Sequence, residues 1–469
     1  MTAKEKENIP EKSLRLVRYL SDNPDWSEYD DDQELFVQEF PKIELHVHLD
    51  GSFDPLFLWK YMQKHPESML CLPTETVPPW QPTRKLEIRK LVEDCTTSQE
   101  YHKLCTCRGY RSLQEMLNCF EMFLPLVRRN LDLLEQLAYD FCQRQWEQNV
   151  VYTEVRYSPF LLAESFEVEN KNSQSVDAEA VFAAITSGLR RGSHKFGIIV
   201  NQIISAITWR PDWAMPSLEL AQKHREDYPC ATLGIDIAAG EEHFDRDQHS
   251  ALYEPHFAMI QKAKEYKLPV TLHAGEAAME SSMDNVRRAI DVYGASRIGH
   301  GYRTVNDLDL INYVKEKKIH FEVCPTSSDE TGGWMYKEEK NWKEHPCLAM
   351  LKHGIPFSLN SDDPAVFHTS LSWQYRIALA KMDLTREDIV KCNLQAIDAA
   401  FCSEERKVAL RKSVHCYGKA KNVDIDWLEC GCDDHDRVTW RRSRSESYID
   451  KGFVDRVYVH RSGLEADYL

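Results

Sequence analysis

Eight short runs rich in β-branched and aromatic residues, each bounded by turn formers, recur along the chain: Lys42 to Leu49, Val150 to Tyr157, Gly197 to Ile207, Ala231 to Ala238, Pro269 to His273, Arg297 to Gly301, His320 to Cys324 and Pro356 to Leu359. Runs of that length and composition predict strands. From the second onward each is followed by a stretch of helical character, among them Ala178 to Arg190, Ser217 to Arg225, Ser250 to Tyr266, Met283 to Tyr293 and Val305 to Glu316. Strand and helix alternating eight times predicts an α/β fold of the (β/α)8, or TIM barrel, type.

The pattern also divides the chain. Residues 1–40 are polar and acidic, with Asp30, Asp31 and Asp32 in a row, and read as an N-terminal arm packed loosely on the outside. The barrel domain is expected over 41–415. About a hundred residues separate the first two strands, far more than a crossover helix needs, so an insertion follows strand 1. Its stretch at 63–110 is Pro-rich and charged, as in PTETVPPWQPTRK. Beyond it Leu113, Met116, Leu117 and Phe120 recur at helical spacing. That stripe reads first as core packing and second as an apolar lid over the barrel mouth, which an insertion at this end of strand 1 permits. A last helix, Glu404 to Ser413, closes the domain, and 416–469 reads as a polar C-terminal tail. Cys430, Cys432 and His435 in the tail are irregularly spaced and read as a solvated loop rather than a metal site.

Composition narrows the class. At 469 residues and 42% hydrophobic the chain can bury a large core plus insertions. A net charge of -17 sets a negative field around the molecule, which argues against nucleic acid and anionic membrane partners. The first twenty residues lack the apolar run of a signal peptide, and no segment is apolar enough to span a bilayer. The 14 cysteines are scattered, as at Cys119, Cys142, Cys230, Cys324 and Cys392, and read as reduced thiols of a cytoplasmic protein.

The candidate chemistry lies at the strand ends. Period two puts His46 and His48 of strand 1 on one face, directed into the barrel. With 18 histidines in the chain one such pair says little. Strand 5, however, ends in His273, Ala274, Gly275 and Glu276, strand 6 in His300 and Gly301, and strand 8 in Asp362 and Asp363. Active sites of barrels are built at these C-terminal ends. Buried His and Asp from four strands each cost several kcal/mol unless paired or bound to an ion, and a shared cation is the economical explanation. Three histidines and one carboxylate suit a catalytic zinc. His46, His48, His273 and Asp362 are therefore assigned to one zinc per chain, and strand 4 offers only Asp236 as an anion that could bridge a second. Glu276, His300 and Asp363 stand beside the ion with no structural duty. Glu276 could alternatively cap the next helix. GxSxG, phosphate-loop, dinucleotide and cytidine-deaminase signatures are all missing.

These residues resemble the adenosine deaminase family. PKIELHVHLDGS at 41–52, VVYTEVRYSP at 150–159, LHAGE at 272–276, RIGHGYR at 297–303, EVCPTSS at 322–328 and SLNSDDP at 358–364 are similar to its successive motifs, in order. The likeness spans about residues 40 to 415. It implies zinc-dependent hydrolysis of adenosine, and deoxyadenosine with it, to inosine and ammonia in purine metabolism. A water on the zinc would be deprotonated toward His300 and aimed at C6, while Glu276 protonates N1. His48 and Asp50 would contact substrate, Asp50 at the ribose 5′-hydroxyl; Asp363 would bond N7. A backbone N–H of GIDIAAGEE, assigned to Gly240, would meet N3. The chain departs from the family there, since Ala239 stands where the family has glycine. Deaminases of AMP, N6-methyl-AMP or adenine are the alternatives, and a catalytically silent nucleoside-binding protein is a third. An Asp at position 50 favours the nucleoside, because it would repel a 5′-phosphate.

Overall fold

In the computed structural model, which describes residues 29–109, 112–164, 176–277, 281–334 and 341–421, all eight expected strands form. β1 (Lys42–His48), β2 (Val150–Tyr157), β3 (Ile199–Ile207) and β4 (Thr232–Ala238) pair in parallel in chain order; β5 (Thr271–Ala274), β6 (Arg297–His300), β7 (His320–Val323) and β8 (Phe357–Leu359) do the same. Two seams join the halves. Ile235 bridges Val270, and Val47 bridges Asp362, where the His48 N–H donates to Asp362 O (2.8 Å) and the Asp362 N–H to His46 O (3.1 Å). The eight strands thus close into a parallel barrel, and the β1–β8 seam runs through the residues assigned to the metal.

Nearly every strand residue is buried, since helices cover the outside and side chains fill the inside. The expected crossover helices form at Ala178–Phe196, Ala214–Lys223, Ser250–Tyr266, Ser282–Asp291 and Leu308–Glu316. A further helix starts at Glu404, where closure was expected. None of the helices among the described residues is long and apolar enough to cross a membrane. No disulfide joins the described cysteines. Cys430, Cys432 and His435 lie outside the described residues.

One expectation is corrected. The arm is not loose where it is described: Asp31–Glu39 is a helix with an Asp30–Gln33 capping box and buries Glu34, Leu35, Phe36 and Val37. The buried Glu34 pairs with Arg376 through two contacts (2.7 and 2.5 Å) and accepts from Tyr29 Oη at 2.6 Å. The acidic arm thus contains one carboxylate whose partner lies more than 300 residues away. The stripe Leu113, Met116, Leu117 and Phe120, read first as core and second as a lid, meets both readings. It lies on the helix Leu113–Phe120 and does pack on the core, but all four residues also line the cavity at the barrel mouth. Thr76, Val77, Pro79 and Trp80 of the Pro-rich stretch join them there, Trp80 against Trp209 with ring centroids 4.8 Å apart.

Candidate active site

The cavity at the C-terminal ends of the strands, about 240 Å³, has the lid residues on one side and His48, Asp50, His273, Glu276, His300, Asp362 and Asp363 as its polar floor. His46 lies just beneath, fully buried. Of the residues expected at the site, His46 and Gly240 stand outside the cavity lining, which at the end of β4 consists of Ala238 and Ala239. The Gly240 carbonyl is turned away to accept from Thr208 Oγ1 (2.9 Å). Ala239 instead holds the left-handed conformation (φ 83°) that glycine adopts without penalty. Ala239 rather than Gly240 thus lines the wall of the pocket at this turn.

Four imidazoles and a carboxylate converge. His46 Nε2 lies 3.2 Å from Asp362 Oδ1, His48 Nε2 3.5 Å from the same oxygen, and His48 Nε2 3.2 Å from His273 Nε2. His300 Nε2 is 3.6 Å from Glu276 Oε1 and 4.0 Å from Asp362 Oδ2.

Which nitrogens carry hydrogens follows from the layer beneath. His46 Nδ1 is 2.8 Å from Glu322 Oε2. Burial would raise the Glu322 carboxyl, but Arg156 (2.6 Å) and Arg297 (2.7 Å) hold it well below the usual range. An ionised carboxylate only accepts, so His46 donates from Nδ1 and its Nε2 presents a lone pair. His273 Nδ1 likewise faces Asp236 Oδ1 at 3.1 Å. Burial disfavours the charge on that imidazole, yet Asp236 holds its pKa up at about 9.

Those orientations set acceptor against acceptor. His46 Nε2 makes no hydrogen bond although it is buried and 3.2 Å from a carboxylate oxygen, and His300 Nε2 also has no partner. A cation relieves such a cluster. Tetrahedral zinc with bonds near 2.1 Å separates its ligand atoms by roughly 3.4 Å, close to the spacings found between His46, His48, His273 and Asp362. The residues present therefore fit a metal ion, and histidines that donate their second nitrogen to carboxylates are the usual support for one. Among the described residues, the side chains close enough to share one cation are His46, His273, His300 and Asp362, while His48 groups with Asp362 and Asp363.

Burial raises three acids of the floor, Asp50, Glu276 and Asp363, whereas in Asp362 the surrounding histidines outweigh burial and hold the carboxyl well below its ordinary value. Burial, reinforced by the Asp362 charge, pushes Glu276 up to about 8. Burial and the charges of Asp362 and Asp50 push Asp363 well above its ordinary value. Burial raises Asp50 to about 7 against the Ser158 N–H, 3.4 Å from its Oδ2. Asp363 Oδ1 has no protein partner, and it fits only because residue 51 is glycine: a Cβ there would lie 1.7 Å from that oxygen. His300 is kept neutral by burial, with Nδ1 3.0 Å from the Tyr302 hydroxyl, which donates to Cys324 O (3.0 Å).

The sequence reading missed this supporting layer. Arg156, Glu322, Tyr302 and Glu241 were not singled out, and Asp236 was weighed only as a bridge to a second metal. The signal was present: Arg156 and Glu322 sit inside quoted motifs, as charges within otherwise apolar strands.

Comparison with known proteins gives a consistent result. Residues 83–417 match the family described as "Adenosine deaminase". The adenosine deaminase of Bos taurus is 31% identical over 374 residues, covering 79% of this chain and 92% of that protein. Among solved structures, a zinc-bound amidohydrolase from Burkhoderia ambifaria superposes with a TM-score of 0.65 at 22% identity, covering 84% of this chain and 94% of the other. The N6-methyl-AMP deaminase from Arabidopsis thaliana gives 0.62 at 22% identity, covering 82% and 99%. At that identity the two structures speak to the barrel fold alone.

Proposed function

The chain belongs to the adenosine deaminase family and is a hydrolytic deaminase, and from that premise we propose that it converts adenosine, and deoxyadenosine with it, to inosine and ammonia, using one zinc ion held by His46, His48, His273 and Asp362. The observation that carries this reading is the meeting, in one cavity, of unpartnered imidazole nitrogens with a buried carboxyl kept protonated beside them. When bound, zinc supplies the Lewis acidity that brings the pKa of a water from 15.7 to about 7.

The side chains divide the remaining work. Glu276, protonated at neutral pH, donates to N1, withdrawing electrons from C6 so that the ring accepts a nucleophile. His300 faces the same space with a free Nε2 lone pair and takes the proton of the attacking water. Asp363 donates to N7, which only accepts. Once C6 is tetrahedral, the amino nitrogen takes up a proton and leaves as ammonia. An adenine ring offers lone pairs at N1 and N7, and the floor offers acidic hydrogens to both.

Charge in the cavity favours an uncharged 5′ end. Asp50, Glu121, Glu164, Glu276, Asp362 and Asp363 line it with two arginines, each facing a carboxylate already: Arg128 lies 4.0 Å from Glu121 and Arg210 pairs with Glu164 and Asp212. A 5′-phosphate would meet the Asp50 carboxyl and arginines whose charge carboxylates already offset. The purine-nucleotide alternative is tested together with the main reading by following loss of the substrate absorbance on adenosine, AMP, adenine and N6-methyl-AMP. Adenosine is expected to turn over fastest; faster turnover of AMP or N6-methyl-AMP would replace this substrate assignment. The fold supports a barrel domain over 41–415, with the mouth insertion as its substrate-facing lid.

A further inference from the structure

Beneath the loop that carries Glu276 lies a carboxylate with no place in the reaction above. Glu241 follows the end of β4, is 3% exposed, and has both oxygens filled by donors of one neighbouring segment. Oε1 accepts from the backbone N–H groups of Glu276 (2.9 Å) and Ala277 (3.1 Å). Oε2 accepts from the N–H of Gly275 (3.2 Å) and from Asn285 Nδ2 (2.7 Å) on the helix Ser282–Asp291.

Three successive N–H groups turned to one side form a concavity that elsewhere binds anions. Here the protein fills it with its own carboxylate. The segment does not take this shape by local preference alone, because Gly275 sits at φ 71° and a Cβ there would be 2.7 Å from Val286 Cγ2. Burying a carboxylate is costly unless hydrogen bonds compensate, so the four donors and the anion hold one another in a single arrangement.

We infer that Glu241 is a positioning residue: it fixes the peptide from which the Glu276 side chain projects and so aims that carboxyl at the reacting ring. The inference rests on the proposed role of Glu276 as proton donor. Glu241 also ties two walls of the cavity together, because Ala239 at the end of β4 lies two residues from it and moves with it.

The expected consequence separates positioning from folding. Glu241→Gln keeps size and shape but replaces one oxygen by an NH2 group, and whichever way the amide turns, at least one buried backbone N–H loses its acceptor. A displacement of about 1 Å of a catalytic group costs about 100-fold. For the zinc-loaded full chain, Glu241→Gln is expected to lower kcat by about 10- to 100-fold while KM for adenosine, affinity for inosine and zinc content stay within about threefold. The deciding measurement is a double-mutant cycle with Glu276→Gln. If Glu241 acts through Glu276, the double variant is no slower than Glu276→Gln alone. Should Glu241→Gln fail to fold, Glu241→Asp, which retracts the same charge by one methylene, takes its place in the cycle. The inference is overturned if the Glu241 variant keeps wild-type kcat, or if its loss multiplies in full with that of Glu276→Gln. Wild-type kcat in Glu276→Gln by itself would instead remove the proton-donor assignment on which the inference stands.

Discussion

At the N-terminal end of the barrel strands, the buried Lys42 ammonium donates to three backbone carbonyls, those of Val37, Phe40 and Gln148. Beside it Glu34 meets Arg376 and the Tyr29 hydroxyl. At the other end, some strand lengths away, His46 and His300 each keep a buried ring nitrogen without a partner, and Asp363 keeps an oxygen. Backbone strain follows the same division. Lys267 is left-handed as the cap of the helix Ser250–Tyr266, a common way to end a helix, whereas His300 (φ 67°) and Asp362 (φ 62°) hold that conformation at strand ends, where nothing local favours it. Both regions bury charge. At the C-terminal end, however, the unpartnered atoms converge on one cavity, and that convergence, more than burial itself, marks where a ligand completes the structure.

The contrast is broken most severely by taking the ion away. About one zinc per chain is expected by elemental analysis, and a strong chelator is expected to abolish turnover, with recovery on adding zinc back, since the donor set closes around one ion. Two tightly held metals per chain would overturn the mononuclear assignment. The N-terminal end needs no such partner, and its hydrogen bonds persist through chelation.

Two glutamates then measure the division directly. Glu276→Gln is expected to lower kcat by about 10²- to 10⁴-fold, the usual loss for a general acid, with the melting temperature unchanged or raised because a buried acid is replaced by a neutral amide. Glu34→Gln is expected to do the reverse. Leaving Arg376 buried without its counter-charge costs about 3–5 kcal/mol of stability, read by denaturant unfolding, while kcat of the folded fraction stays at wild type. If Glu34→Gln lost kcat without losing stability, the N-terminal end could not be a purely structural one.

A smaller effect comes from pH. In the metal-free protein Glu276 titrates at about 8 and His273 at about 9 when folded, both above their values of 4.5 and 6.5 in the unfolded chain. A group with a raised folded pKa binds more protons folded than unfolded between those two values, so stability falls as pH rises through that window. Chelated protein is therefore expected to lose melting temperature from about pH 5 to 9, most steeply where both windows overlap. Zinc-loaded protein is expected to lose less, because the ion takes the place of the His273 proton. Equal slopes for the two forms would show that the histidine cluster does not hold the metal.

Much of this was legible in the residues. The strands announced themselves through β-branched runs, and the barrel through alternation; the site was visible because His and Asp fell at four strand ends. The layer beneath it was harder to read. Asp236 and Glu322 are lone carboxylates in their strands and Arg156 shares β2 with Glu154, and which one meets which depends on barrel closure, which brings Arg156 of β2 to Glu322 of β7 across 166 positions. The looseness expected of the arm failed for the same reason, the partner of Glu34 being set by tertiary packing.

Substrate choice gives the finest test, because Asp50 sits on the boundary between the two kinds of charge. It is buried like the N-terminal ion pair, yet burial outweighs the backbone N–H groups of Ser158, Asp50 and Gly51 and pushes its carboxyl, which faces the cavity, up to about 7. A carboxyl so placed rewards a ligand hydroxyl and repels a second anion in a poorly solvated pocket. Asp50→Asn keeps a hydrogen-bonding group of the same size but removes the repulsion. The expected result is a fall in kcat/KM for adenosine of about tenfold, the worth of about 1.4 kcal/mol, with a narrower adenosine-to-AMP ratio and unchanged zinc content. Because the repulsion needs the ionised form, wild-type discrimination against AMP is expected to sharpen as pH rises from 6 to 8, and that trend is expected to vanish in Asp50→Asn. An adenosine-to-AMP ratio that the substitution leaves untouched would move the selectivity away from Asp50, to Glu121 and Glu164 at the mouth.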